Sequence, residues 1–192
     1  MKDIALSRTL SHALRHEPWL YELELDDEGW MPVAALINGL QETSSEWSDL
    51  GISDIERMIA RSEKQRHELR GDRIRALYGH STPYKLHKQQ AVPPALLFHG
   101  TAPKTAEIVS SEGLKPMGRQ YVHLSSDIET ATKVGARKAN TPVILQVDAA
   151  TASAAGIRFY EGNDRVWLAD EIPLDYILYY GDRYYGDRCN NP

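Results

Sequence analysis

Five short pieces of the chain carry the side chains with chemistry in them. They are Leu14-Arg15-His16-Glu17-Pro18, Lys64-Gln65-Arg66, His99-Gly100-Thr101, the single Arg119, and Val122-His123-Leu124-Ser125. Together they supply three arginines (Arg15, Arg66, Arg119) and three histidines (His16, His99, His123). A guanidinium matches phosphate oxygens two at a time and keeps its charge at any working pH. An imidazole moves a proton near neutral pH. The set is equipped to hold a phosphate against a dinucleotide. Each member also has a plainer use. Arg15 and His16 would satisfy a helix C-terminus and its dipole. Arg66 and Arg119 would serve as solvated charges, and His99 and His123 as bonded residues at strand edges.

The elements that must position these residues follow from hydrophobic spacing. Ile4, Leu6, Leu10, Ala13 and Leu14 recur at helical intervals, so a first helix ends near Arg15, with Pro18 as its stop. Leu23 and Leu25 alternate with Glu22 and Glu24 as a strand would, before an Asp26-Asp27-Glu28-Gly29 turn. Val33, Leu36, Ile37 and Leu40 predict a second helix. Ser53 with Glu56 reads as a capping box for a third, with Ile55, Met58 and Ile59 as its apolar stripe. His67-Glu68-Leu69 and Arg73 to Leu77 flank Gly71-Asp72 as a hairpin. Helices followed by a basic hairpin suggest a winged helix, which does not by itself establish function.

Gln89 to Pro94 reads as a linker, because paired prolines continue neither a helix nor a central strand. Beyond it the pattern predicts a strand from Leu96 into His99-Gly100-Thr101, then a helix over 103–112 capped by Gly113. A strand over 121–124, a helix over 128–137 and a buried strand over 143–147 come next. Arg158 to Tyr160 and Arg165 to Leu168 flank Glu161-Gly162-Asn163-Asp164 as a second hairpin, and 176–180 is a last strand. The fold class is α+β, with a split or sandwiched sheet in the second half. Tyr179-Tyr180-Gly181-Asp182-Arg183 is repeated at 184–188 without an evident role.

Bulk properties set limits. At 192 residues the chain suits one or two small domains, and 42% hydrophobic with 26% charged residues favours a packed core over disorder. No apolar run approaches a membrane span, and Arg8 inside an amphipathic start does not read as a signal peptide. Cys189 is the single cysteine, which excludes an internal disulfide or a cysteine-rich zinc site and suits the cytosol. No metal-ligating cluster and no Gly-x-Gly-x-x-Gly fingerprint occurs, so no metal and no Rossmann fold is expected. The net charge is −5, but between Arg57 and Lys88 nine Lys/Arg face three acids, an excess of +6 that leaves −11 elsewhere. A local basic patch on an acidic chain suits a small phosphate contact.

In this order the motifs resemble the RNA 2′-phosphotransferase family, over most of the chain. The matching pieces are Leu-Arg-His-x-Pro at 14–18, Leu25-Asp26 with Glu28-Gly29-Trp30, Lys64-Gln65-Arg66, and Ile74-Arg75-Ala76 with Gly79-His80-Ser81. His99-Gly100-Thr101 and Arg119 with Val122-His123-Leu124-Ser125 complete the set. The family often has an aromatic after Lys-x-Arg and a glutamine before Gly-His-Ser, where this chain has His67 and Tyr78.

The resemblance implies an N-terminal winged-helix RNA-binding lobe (1–90) and a C-terminal ADP-ribosyltransferase-like NAD-binding lobe (95–192). It implies that NAD is consumed in removing an internal 2′-phosphate from RNA, by way of a 2′-phospho-ADP-ribosylated intermediate. The products are 2′-hydroxyl RNA, nicotinamide and ADP-ribose 1″,2″-cyclic phosphate. Arg15, His16, Arg66 and Arg119 match the catalytic positions. His99, Gly100, Thr101, His123, Leu124, Ser125 and Val166 match the NAD side. Arg15, Arg66, Arg75, His80 and Ser81 would meet the RNA. His12, His67 and His87 are read as surface or helix-face residues. The four catalytic residues are expected to converge on one anion between the lobes. The partner would be a tRNA-like RNA, without a membrane, and the enzyme a cytoplasmic monomer. Two other readings stay open. One is ADP-ribosylation of a terminal nucleic-acid phosphate, stopping after the first step. The other is a winged-helix binding protein without catalysis, which would have no need of His16.

Overall fold

Leu6, Leu10, Ala13 and Leu14 lie on one side of a helix and are all buried, which fixes the face that α1 (Lys2–Arg15) turns to the core. Ile4, expected on that face, is 65% exposed and belongs to the opposite side. The computed structural model describes residues 2–180. Cys189 and the tail repeat from Gly181 onward lie outside the described residues. The described chain is mixed helix and sheet, with two antiparallel sheets.

Contacts separate two units. The first comprises 1–88 together with Gly118–Gln120, and the second comprises 89–117 and the chain from Tyr121 on. Three residues from the C-terminal half therefore pack with the N-terminal one.

In the first unit α1 is followed by a 3-10 turn over Pro18–Tyr21, then β1 (Met31–Pro32), α2 (Val33–Thr43), α3 (Ile52–Ala60), β2 (His67–Arg70) and β3 (Arg73–Ala76). The sheet order is β1-β3-β2, all antiparallel. Leu10, Leu14, Leu36, Leu40, Ile55 and Ile74 form a fully enclosed core between the helices and this sheet. Two local expectations need correction. Residues 22–26 form no strand, because Glu22 takes a left-handed conformation (φ 53°) and closes the 3-10 turn. The α3 cap is Gly51 with Asp54, not Ser53 with Glu56. The Asp54 carboxylate accepts the Gly51 N–H at 3.0 Å, and the Gly51 carbonyl accepts the Asp54 N–H. The hairpin turns at Gly71 (φ 60°), a backbone that suits glycine.

The second unit holds β4 (Leu96–Thr101), α4 (Pro103–Glu112), β5 (Val122–Ser125), α5 (Ile128–Gly135), β6 (Val143–Asp148), α6 (Ala149–Ala154), β7 (Phe159–Asn163), β8 (Val166–Ala169) and β9 (Ile177–Tyr180). The strand order is β7-β8-β5-β4-β6-β9. β4 meets β5 at the single pair Phe98 and Ser125, while its pairing with β6 runs along its whole length. The sheet thus joins two three-stranded halves through one residue pair. Beside the join, a Cβ on Gly100 would stand 1.9 Å from the Ala131 carbonyl, so α5 crosses β4 where only glycine fits. The second hairpin turns at Asp164-Arg165, not over 161–164. Glu161 and Gly162 stay in β7, and a bulge between Glu161 and Asn163 absorbs the offset. The expected linker is partly structured, since Gln90 bridges Tyr160 and the Ala91 N–H donates to Phe159. The short β1 and α6 had no clear periodic signal.

Candidate active site

The C-terminus of α1 delivers two site residues at once. Arg15 is its last residue and sits beside the core residue Leu14, so its stem is drawn inward; the residue is only 8% exposed. Its Nη2 donates to the Arg66 carbonyl at 3.1 Å, and its guanidinium lies 5.2 Å from the Tyr78 ring centroid. Nε is buried with no hydrogen-bond partner among the described residues, and none of their carboxylates pairs with Arg15. Burial pulls its pKa down to about 10; the Tyr78 hydroxyl opposes this, while the Arg66 and Arg119 cations add to it. At neutral pH Arg15 is still a cation. A buried charge without a counter-charge is costly unless a ligand supplies one. This site is short of an anion.

His16, half-buried, follows directly. Its Nδ1 lies 2.8 Å from Ser81 Oγ, and the Ser81 N–H donates to the Arg15 carbonyl. The Gly79-His80-Ser81 motif therefore closes the end of α1 and holds the His16 ring. Gly79 takes φ 88°, a backbone that favours glycine, and it lies against the Arg15 guanidinium, where a Cβ would be in ordinary contact at 3.5 Å from Nη1. Burial, and then the neighbouring Arg15, His12 and Arg119, lower the His16 pKa below the usual histidine value, with Glu17 opposing. The ring is kept neutral and able to accept a proton.

Arg119 reaches this cluster through its neighbour. The Gln120 N–H donates to His80, and its side-chain amide donates to Thr82 Oγ1 (2.9 Å) and to the Tyr84 carbonyl (2.6 Å). Its Oε1 accepts from the Leu86 N–H at 3.1 Å. These bonds stitch 118–120 to the 80–86 loop and bring the exposed Arg119 within electrostatic range of Arg15 and His16. Sequence reasoning missed Gln120; its one signal was adjacency to Arg119.

Other residues of the first unit fall elsewhere. Arg75 bonds Glu68 from Nε (2.8 Å) and Nη2 (2.7 Å), lies near Glu28, and stacks 4.4 Å from the Trp30 ring centroid. Arg57, Arg61, Arg70 and Arg73 also meet carboxylates, so much of the basic excess over 57–88 is neutralised locally. His80 is 3% exposed. His67 corrects an expectation. It is not a surface residue but 3% exposed, with Nε2 3.2 Å from Ser11 Oγ. Burial first, then Arg15 and Arg66, push its pKa down to about 3. His12 is paired at the surface with Glu17 and Tyr21.

In the second unit His99, His123 and Val166 stand on the neighbouring strands β4, β5 and β8. His99 Nδ1 lies 2.9 Å from the His123 carbonyl, and His123 Nδ1 lies 2.9 Å from the Tyr121 carbonyl. A carbonyl only accepts, so both Nδ1 atoms carry a proton, and in the neutral ring Nε2 is then the acceptor. Val166 pairs with Ser125. Leu124 and Thr101 are buried, and Thr101 Oγ1 has no partner among the described residues. Gly100 meets α5, a packing demand independent of any ligand.

An enclosed arginine without a counter-ion among the described residues, two further arginines and a neutral histidine form a cluster whose chemistry suits an anion such as a phosphate. Residues 1–171 match the family described as RNA 2′-phosphotransferase, Tpt1 / KptA family. Three relatives bear the name "Probable RNA 2′-phosphotransferase". That of Bacillus thuringiensis subsp. konkukian is 54% identical over 172 residues, covering 90% of this chain and 92% of the relative. That of Acetivibrio thermocellus is 49% identical over 174 residues, 91% and 95% of the two chains. That of Fusobacterium nucleatum subsp. nucleatum is 38% identical over 179 residues, 92% and 98%. The chain belongs to the RNA 2′-phosphotransferase family and is a transferase. Among the described residues no helix is long and apolar enough to cross a membrane.

Proposed function

We propose that the protein removes an internal 2′-phosphate from RNA with NAD as consumed co-substrate. The reading takes the first unit as a winged-helix lobe that holds the RNA and the second as an ADP-ribosyltransferase-like lobe that holds NAD. The observation that carries it is the buried Arg15 guanidinium, without a carboxylate and close to Arg66 and Arg119.

In the first step the RNA 2′-phosphate displaces nicotinamide from the adjoining ribose carbon. A phosphate monoester has a second pKa of about 6, so at neutral pH it is already mostly dianionic and needs no base. It needs orientation and partial neutralisation, which Arg15, Arg66 and Arg119 supply. In the second step the neighbouring ribose 2″-hydroxyl attacks the new phosphodiester. That hydroxyl loses a proton and the departing RNA 2′-oxygen gains one. His16 is held by Ser81 in neutral form, which suits it to accept the first and return the second. The products are 2′-hydroxyl RNA and ADP-ribose 1″,2″-cyclic phosphate.

For NAD, the acceptor Nε2 atoms of His99 and His123 match ribose hydroxyls, Ser125 lies beside them on β5, and Val166 would pack the nicotinamide side. Incubation with a short 2′-phosphorylated, tRNA-like RNA and NAD tests the proposal. Release of nicotinamide, 2′-hydroxyl RNA and the cyclic product supports it. RNA that keeps both its phosphate and the ADP-ribose would support end-modifying ADP-ribosylation instead, and no consumption of NAD would refute both.

A further inference from the structure

Beside the phosphate-handling cluster a groove of about 750 Å³ opens along α1, between that helix and the segment running from α3 to Arg66. One end is formed by Arg15, His16 and Arg66. The remainder belongs to residues with no part in the mechanism. Ile4, Arg8 and Ser11 come from α1, and Arg61 and Lys64 from the facing wall. Ile4, Arg8, Ser11 and Arg15 are spaced so that they form one stripe down the helix. At a rise of about 1.5 Å per residue, Arg8 lies about 10 Å along the axis from Arg15.

The charge of this wall is deliberate in the sense that the rest of the chain opposes it. Five cations (Arg8, Arg15, Arg61, Lys64, Arg66) line the groove against two carboxylates, Asp3 and Glu63, in a chain of net charge −5. Asp3 is engaged by Arg57 and Arg61. Arg8 is exposed and has no ion pair or hydrogen bond among the described residues. Ile4 adds an exposed apolar surface at the groove's far end. A basic groove with an apolar patch is what a single strand needs, phosphates along the charges and a base against the hydrocarbon. A cleft of this volume takes a nucleotide or two and not a duplex.

We infer that this groove holds the single-stranded RNA flanking the 2′-phosphate, with Arg8 as a phosphate contact outside the reacting centre. The inference rests on the RNA reading above. Whatever fills the groove is continuous with the group held by Arg15 and Arg66, which favours the substrate's own strand over a separate acidic ligand.

The test compares Arg8→Glu with the wild-type protein on two substrates, a 2′-phosphorylated RNA of several nucleotides on each side and a minimal 2′-phosphorylated dinucleotide. For the long RNA, KM rises about tenfold, kcat is unchanged and the logarithmic salt slope falls by about 1; the dinucleotide is processed as before. Arg8→Lys keeps the KM near its wild-type value. Equal losses on both substrates, or none on either, overturn the inference. If the wild-type protein does not act on 2′-phosphorylated RNA, the functional reading has failed and not the groove. Fluorescence anisotropy with labelled single-stranded RNA then decides. Weaker binding by Arg8→Glu upholds the groove, and equal binding overturns it.

Discussion

Lowering the pH should destabilise the first unit through one residue, His67. It begins β2, is 3% exposed, and has a pKa held down at about 3 by burial and by the cations of Arg15 and Arg66. In the unfolded chain it titrates near 6.5. Below that value the unfolded state binds a proton that the folded state refuses. The stabilisation is therefore complete above pH 6.5 and lost as the pH falls, at about 1.4 kcal/mol per unit until the folded value is reached. From pH 7 to pH 5 the loss is about 2 kcal/mol, a figure that requires only that the folded value lie well below 5. Urea unfolding followed by tryptophan fluorescence reads it, because Trp30 and Trp47 are buried in this unit. His67→Gln keeps a partner for Ser11 and does not titrate. The wild type should lose about 2 kcal/mol more than this variant between pH 7 and pH 5. Equal losses would refute the reasoning, whatever the two absolute stabilities.

The other predictions concern the site and its supports. His16→Ala should slow the second step and let ADP-ribosylated RNA accumulate, visible by gel with labelled NAD; turnover at the wild-type rate would remove the proton-transfer role. Arg66→Ala and Arg119→Ala should each lower kcat by roughly 10²–10³, and lysine should not restore it, because the fork and not the charge alone positions the phosphate. Gln120→Ala leaves the Leu86 N–H and the Tyr84 carbonyl without the amide that bonds them, so the segment carrying Arg119 loosens. A tenfold fall in kcat with unchanged KM for NAD is expected, and a KM effect alone would count against it. Gly100→Ala drives a methyl into the Ala131 carbonyl and should cost about 3 kcal/mol or more, read as a fall in Tm.

Much of the fold was legible because its signals are short-range. The end of α1 at Arg15, the Gly71-Asp72 turn, the start of α4 at Pro103 and its Gly113 cap each depend on residues within a few positions of one another. The misreadings have a common origin. Leu23 and Leu25 alternate like a strand, but among the described residues no strand pairs with them, and Glu22 instead caps a 3-10 turn. Ser53 and Glu56 had the right spacing for a cap, yet Gly51 and Asp54 hold the helix end, two residues earlier than the motif suggested. The second hairpin was offset because a bulge lets Gly162 remain in the strand.

By itself the sequence determined the inventory, three arginines and three histidines in a characteristic order, and so the kind of anion chemistry available. Residue type is local information, and a guanidinium is a phosphate ligand wherever it lies. Only the tertiary structure decided which of these charges are enclosed and which are already spent. Arg15 and Arg75 look alike in the chain. One is buried without a carboxylate while the other is forked onto Glu68, because α1 ends against the 66 and 79–81 segments and β3 lies beside β2. Arg119 stands with the first unit through Gln120, and His67 is buried beside Ser11 and not on the surface. Those outcomes depend on contacts between residues 34 to 56 positions apart. Burial and hydrogen bonding set the free energy of a charge, and no pattern along the chain records them.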